Sequence, residues 1–174
     1  MGQRLRIAGV AALALVVGAC ASKAPPAATA TITTTTVSPA LTSAAYFAAA
    51  SSSALFAVKS AELAMERSSD PEVLALARMR KQNGEGIAGQ LSFAGRRLDM
   101  LPSAQLAPGD QARLEALAAS TNFDADFMAT QDVAVDETLR LHRSFATSGG
   151  SATLRPVAEL GADLTAREDA ALED

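Results

Sequence analysis

From Ser43 onward, apolar residues recur at intervals of three and four, the pattern of helices that each bury one face. The first such stretch runs from Ser43 or Ala44 to about Arg67, with Ser43 available as its N-cap. Phe47, Ala50, Ala54, Val58, Ala61 and Met65 form its inward stripe, and Lys59, Glu62 and Glu66 its polar edge. Most of that stripe is small, which lets a neighbouring helix approach closely. Ser68 to Val73 then marks a boundary: Asp70 caps, Pro71 takes the first helical position where its missing N–H costs nothing, and Glu72 complements the helix dipole. The second helix extends to about Arg97, with Val73, Leu76, Ala77, Ile87, Leu91, Ala94 and Leu98 on one stripe. Gly84, Gly86 and Gly89 each cost up to ~1 kcal/mol against Ala and mark either a kink or a close helix crossing. Asn83-Gly84 is a turn signal, but the stripe continues on both sides of it.

Asp99 to Ala107 is a connector containing Pro102, and Pro108, Gly109 and Asp110 open a short helix to about Ala119 with Leu114 and Leu117 inward. After Ser120 to Asn122, a fourth helix spans about Phe123 to Thr147. Its inward residues are Phe127, Ala134, Val135, Thr138, Leu141 and Phe145, while Asp132, Asp136, Arg140 and Arg143 face out. Asp136 and Arg140 form a favourable i,i+4 pair, and Gly149 and Gly150 end the helix. The last segment carries Leu154, Val157, Leu160, Leu164 and Leu172; Pro156 confines its ordered start to about Thr153 to Arg155. No strand pattern, phosphate-cradling Gly loop or repeat period is present. The fold class is therefore all-α: four long amphipathic segments in an antiparallel bundle, the short helix crossing over between the second and fourth.

The region before Ser43 changes the picture. Ala24 to Thr42 is rich in Ala, Pro and Thr, and Pro25, Pro26 and Pro39 deny regular hydrogen bonding, so it reads as a disordered tether. A flexible segment of that length reaches roughly 25 Å. Further upstream, Arg4 and Arg6 precede an apolar run from Ile7 to Val17, long enough for a signal-peptide core and short of the ~20 residues that span a bilayer. Val17, Gly18 and Ala19 lead into Cys20, the sole cysteine, and the stretch Leu15 to Lys23 resembles the lipobox of bacterial lipoproteins. The other reading of this stretch is an ordinary signal peptide cut nearby, with Cys20 incidental. On the lipobox reading residues 1–19 are the signal peptide, 20–42 a lipidated tether and 43–174 the bundle.

Loss of Arg4 and Arg6 with the leader makes the remaining chain two units more negative than the −4 of the whole sequence. An acidic chain gains nothing from counterion release, which excludes nucleic acid as a partner. Acylation of Cys20 consumes the only thiol, so disulfides, cysteine nucleophiles and zinc knuckles are excluded as well.

From Tyr46 to Glu168 the motif order is similar to the bacterial domain-of-unknown-function family 4142, ferritin-like envelope proteins. The resemblance rests on Phe47-Ala48-Ala49, the run Glu62 to Val73, Ala75 to Met79, Leu101-Pro102 and Phe123 to Phe127. It implies a ferritin-like four-helix fold and secretion, and no established activity. Many relatives carry Met-x-x-Asp-His where this chain has Met79, Arg80, Lys81, Gln82 and Asn83. By the same resemblance, two further His positions fall on Val135 and Arg167, and an acidic position on Ala57. The helical phases place Asn83 and Val135 inward, where a bundle-core metal site would need its ligands.

Little chemistry remains. His142 is the lone histidine, on the margin of the fourth helix's stripe, with no acid three residues before it, and it reads as a packing residue. Ser144 and Ser148 lack a nucleophile-elbow context for a Ser-His-Asp arrangement, and Arg96-Arg97 is a small basic patch that reads as a solvated helix end rather than a phosphate site. The expectation is a lipid-anchored, non-enzymatic envelope protein with no catalytic residue, metal or cofactor. It faces the periplasm from the outer membrane's inner leaflet, is held by acyl chains on Cys20, and presents a surface to another envelope protein. No oligomeric state follows from the sequence. The alternative is a ferritin-like metal-binding or stress-related oxidoreductase using Glu62, Glu66 and His142.

Overall fold

The computed structural model describes residues 41–173. Up to residue 40, the stretches read above as leader and tether, with Cys20, lie outside the described residues. Those described form five helices and no strand: α1 Ser43–Arg67, α2 Pro71–Leu98, α3 Pro108–Ala119, α4 Phe123–Ser148 and α5 Arg155–Glu173. None of them is long and apolar enough to cross a membrane.

The boundaries follow from local chemistry. The cap of α1 is Thr42, one residue before the expected Ser43, its Oγ1 accepting from the Ala45 N–H at 3.2 Å. Asp70 caps α2 through Oδ1, which accepts from the N–H groups of Glu72 and Val73 at 2.8 and 3.2 Å. At the other end of α2, Asp99 adopts φ 55°, and the Met100 N–H returns to the Gly95 carbonyl at 2.9 Å. Pro156 sits in the first turn of α5, where it is tolerated.

Short turns make α1/α2 and α4/α5 antiparallel hairpins, and α1 against α4 and α2 against α5 close the bundle. The α1/α2 crossing is close because Gly84 has no side chain: a Cβ there would lie 2.8 Å from the Ala54 carbonyl oxygen. Gly86 and Gly89 face open space, and α2 continues through them without a break. The crossover helix is fixed by polar contacts at both ends. Ser52 Oγ donates to Asp110 Oδ2 at 2.5 Å and accepts from the Ala107 N–H at 2.8 Å. Arg67 donates to the carbonyls of Leu117, Ala118 and Ser120 at 2.8, 2.8 and 2.6 Å, capping the end of α3, where Leu117 also accepts from the Ser120 N–H at 3.2 Å.

Two apolar clusters occupy the two ends of the bundle. Tyr46, Phe47, Leu91, Phe145 and Leu154 belong to one, and Phe56, Leu76, Leu117, Phe123 and Phe127 to the other. The expected stripes hold for most positions, with three differences. On α1 the buried face is wider, taking in Tyr46, Ala57, Ser60 and Ala64, while Val58 and Met65 are only half-buried. On α4 Leu139 and Gln131 are buried and Leu141 is half-buried. On α5 the buried residues are Val157, Ala158, Gly161, Thr165 and Glu168, and Leu160 points outward. Of the expected positions, Leu154 and Val157 are in the core and Leu164 and Leu172 pack against it; Leu160 alone turns out, and Ala158 and Gly161 widen the contact face.

Candidate functional site

Between the two apolar clusters lies a polar waist. Arg80 continues the α2 stripe of Val73, Leu76 and Ala77, and Glu168 continues the α5 stripe of Gly161 and Thr165, so both are carried into the interior by helical phase. Their exposures are 2% and 3%. Arg80 Nη1 donates to Glu168 Oε2 at 2.6 Å, and Asn83 Nδ2 donates to Glu168 Oε1 at 2.9 Å. Both carboxylate oxygens are thus occupied by donors from one helix.

A second polar contact, where the waist meets the first apolar cluster, joins α1 to α4. Tyr46 and His142 are both fully buried, and the Tyr46 hydroxyl is 3.0 Å from His142 Nδ1. With the phenol donating, Nδ1 accepts and the imidazole proton resides on Nε2. Tyr46 also stacks on Phe145 with centroids 4.0 Å apart, which fixes the phenol ring. Burial pushes the Tyr46 hydroxyl well above its ordinary range and lowers His142 to about 4. The acid becomes weaker and the base becomes weaker, so proton transfer between them is disfavoured from both sides. The pair is a hydrogen bond between neutral groups, with no poised base.

Gly161 makes room for the imidazole, since a Cβ there would lie 2.5 Å from His142 Cε1. Arg80 Nε and His142 Nε2 have no protein partner. Both residues line a cavity of about 10 Å³ that Gly84, Thr138, Thr165 and Glu168 also border. A space of that size holds about one water and no organic substrate.

The residues singled out from the sequence are dispersed. Glu62 is exposed and accepts from Lys81 Nζ at 2.7 Å, and that lysine also donates to Glu85 at 2.7 Å. These two hydrogen bonds raise the Lys81 pKa. Glu66 is exposed, while His142 is in the core, so the three residues of the oxidoreductase alternative do not converge. Among the described residues no group of three His, Cys, Asp or Glu side chains could hold a metal ion. Ser144 and Ser148 are exposed, and Ser148 Oγ donates to the Ser144 carbonyl at 2.8 Å, away from His142. Arg96 and Arg97 are exposed but not merely solvated, as both guanidinium groups lie over the Phe93 ring.

Asn83 and Val135 do point inward as their phases indicated; Val135 is fully buried and Asn83 binds Glu168. Arg167 is exposed, and its neighbour Glu168 takes the inward position. Arg80, Glu168, Gln131 and Thr165 were not recognised as core residues from the sequence. The signal was present for the two ions: each is a charge standing on its helix's apolar stripe.

A family model described as "Domain of unknown function (DUF4142)" matches residues 24–165. No curated protein and no solved structure matches the chain.

Proposed function

The chain belongs to the DUF4142 family, and on that footing we propose that it is a lipid-anchored envelope protein acting as a structural or interaction module rather than as an enzyme. The observation that carries the second half is the occupancy of the polar waist. Glu168, the one carboxylate buried there, has both oxygens engaged by Arg80 and Asn83. His142 is held neutral against Tyr46. These groups are used to join helices, which leaves the surface as the part of the bundle able to act on anything else.

The anchor rests on Val17-Gly18-Ala19-Cys20 following an apolar run of leader length. Each acyl chain contributes about 0.8 kcal/mol per buried CH₂, and two or three together make attachment durable. Cys20 is followed by Ala21 and Ser22, with no Asp directly after it, which favours the inner leaflet of the outer membrane by analogy with lipoprotein sorting. The test has two arms. Cys20→Ser should move the protein from the membrane fraction to the soluble fraction; equal solubility of the unsubstituted protein would remove the anchor. Untagged protein titrated with Fe, Zn or Mn should show no stoichiometric binding and no rise in melting temperature. A stabilising ion would overturn the metal-free reading of the bundle, because a ligand that prefers the folded state must raise its stability.

A further inference from the structure

One end of the bundle combines the point at which the chain enters α1 with an exposed aromatic flanked by arginines. Leu41 packs on the apolar cluster at this end, and Phe47 meets Gly95 near the close of α2, so residues 1–40 lead into the bundle here. Phe93 is 55% exposed, with the guanidinium carbons of Arg96 and Arg97 lying 5.6 and 6.0 Å from its ring centroid. Leu101, just past α2, is 86% exposed. Phe93 and Arg97 also border a groove of about 320 Å³ against Thr153 and Pro156 at the start of α5.

Charge separates along the bundle. Arg96, Arg97, Arg143 and Arg155 are exposed in the terminal turns at this end, with Asp99 and Glu159 as the nearby acids. The opposite end carries Glu62, Glu66, Asp70, Glu72, Asp124 and Asp126, all exposed, with Arg67 and Arg78 as the exposed bases among them, and so stays acidic on balance. A negative surface would therefore attract the first end and repel the second.

We propose that this end docks on an anionic phospholipid bilayer, with Phe93 and Leu101 in the headgroup interface and Arg96 and Arg97 on lipid phosphates. The proposal rests on acylation of Cys20, which would tether a bilayer to the end of the bundle that receives residues 21–40. Aromatic side chains favour the interfacial zone, and arginine is suited to phosphate. Near such a surface each basic residue strengthens binding about fivefold.

The chain contains no tryptophan, so a single substitution gives a clean reporter. Acylated Phe93→Trp and Val133→Trp proteins, the second reporting from an exposed position on α4 away from this end, would be reconstituted into vesicles containing phosphatidylglycerol and brominated lipid. Phe93→Trp should show blue-shifted, quenched emission and Val133→Trp should not. Sedimentation with the vesicles reads the anchor separately. A Phe93→Trp protein that sediments yet emits as in solution overturns docking and leaves the anchor intact. If the protein does not sediment, docking is still read from chain beginning at residue 20 and carrying Cys20→Ser. At low salt it should prefer phosphatidylglycerol over phosphatidylcholine vesicles, and Arg96→Ala with Arg97→Ala should weaken binding about 25-fold. Equal binding to the two vesicle types, or no effect of the double substitution, would overturn the proposal.

Discussion

Replacing Glu168 by Ala should be among the most damaging single changes in the bundle. It leaves the Arg80 guanidinium, only 2% exposed, without a counter-charge, and Arg80 Nε already has no protein partner. At an effective dielectric of about 20, unit charges ~4 Å apart attract by about 4 kcal/mol. Breaking a buried pair from one side costs about 3–5 kcal/mol, and the amide of Asn83 loses its acceptor for about 1 kcal/mol more. With an unfolding entropy of about 2.1 cal/mol/K per residue, a bundle of this size loses about 3–4 °C per kcal/mol, so the melting temperature should fall by about 12–24 °C. Removing both charges together, as Arg80→Met with Glu168→Leu, should instead be neutral or stabilising by about 1–4 kcal/mol, because two desolvation penalties vanish with one attraction. Thermal and urea unfolding followed by far-UV circular dichroism would measure both variants. A single substitution within about 1 kcal/mol of the parent, or a double as unstable as the single, would refute the reasoning that the pair is a closed lock in a desolvated waist.

Two further outcomes can be read by unfolding measurements. His142 is lowered to about 4 in the fold against an ordinary 6.5, so between those values the unfolded chain takes up a proton that the folded chain refuses. Stability should therefore fall as pH drops from 6.5 towards 4, by about 3 kcal/mol in full, and be flat in this respect above 6.5. Urea midpoints across that range should lose this component in His142→Gln, and an unchanged slope would place the acid sensitivity elsewhere. Glycine replacements should split by location: Gly86→Ala and Gly89→Ala, which meet nothing, should each stabilise by about 0.5–1 kcal/mol. Gly161→Ala, whose methyl would strike the His142 ring, should destabilise by about 1–3 kcal/mol despite the better helix propensity, and the same unfolding assay separates the two classes.

Helix positions and hairpin order were legible before any coordinates. They depend on interactions within a few residues: Asp70 capping the two N–H groups beside it, Pro71 and Pro156 confined to first turns, Gly149 ending α4, and a 3.6-residue apolar period between. The α1 and α2 stripes were legible for the same reason, because Phe47, Ala50, Leu76 and Leu91 have no favourable alternative to burial. The waist was legible only in part. Asn83 and Val135 could be placed inward by phase alone, but a charged residue on an apolar stripe is worth burying only if a partner meets it. Arg80 and Glu168 are 88 residues apart in sequence, and their meeting depends on the register of α2 against α5. The face of α5 was legible except at Leu160 and Glu168, for a related reason. Gly161 leaves the space that the His142 ring fills, and the contact face centred on Val157, Ala158, Gly161 and Thr165 turns Leu160 out and Glu168 in. Periodicity within one helix reports that helix's own preferences; which side wins, and which charges become neighbours, is set by the shapes of the helices packed against it.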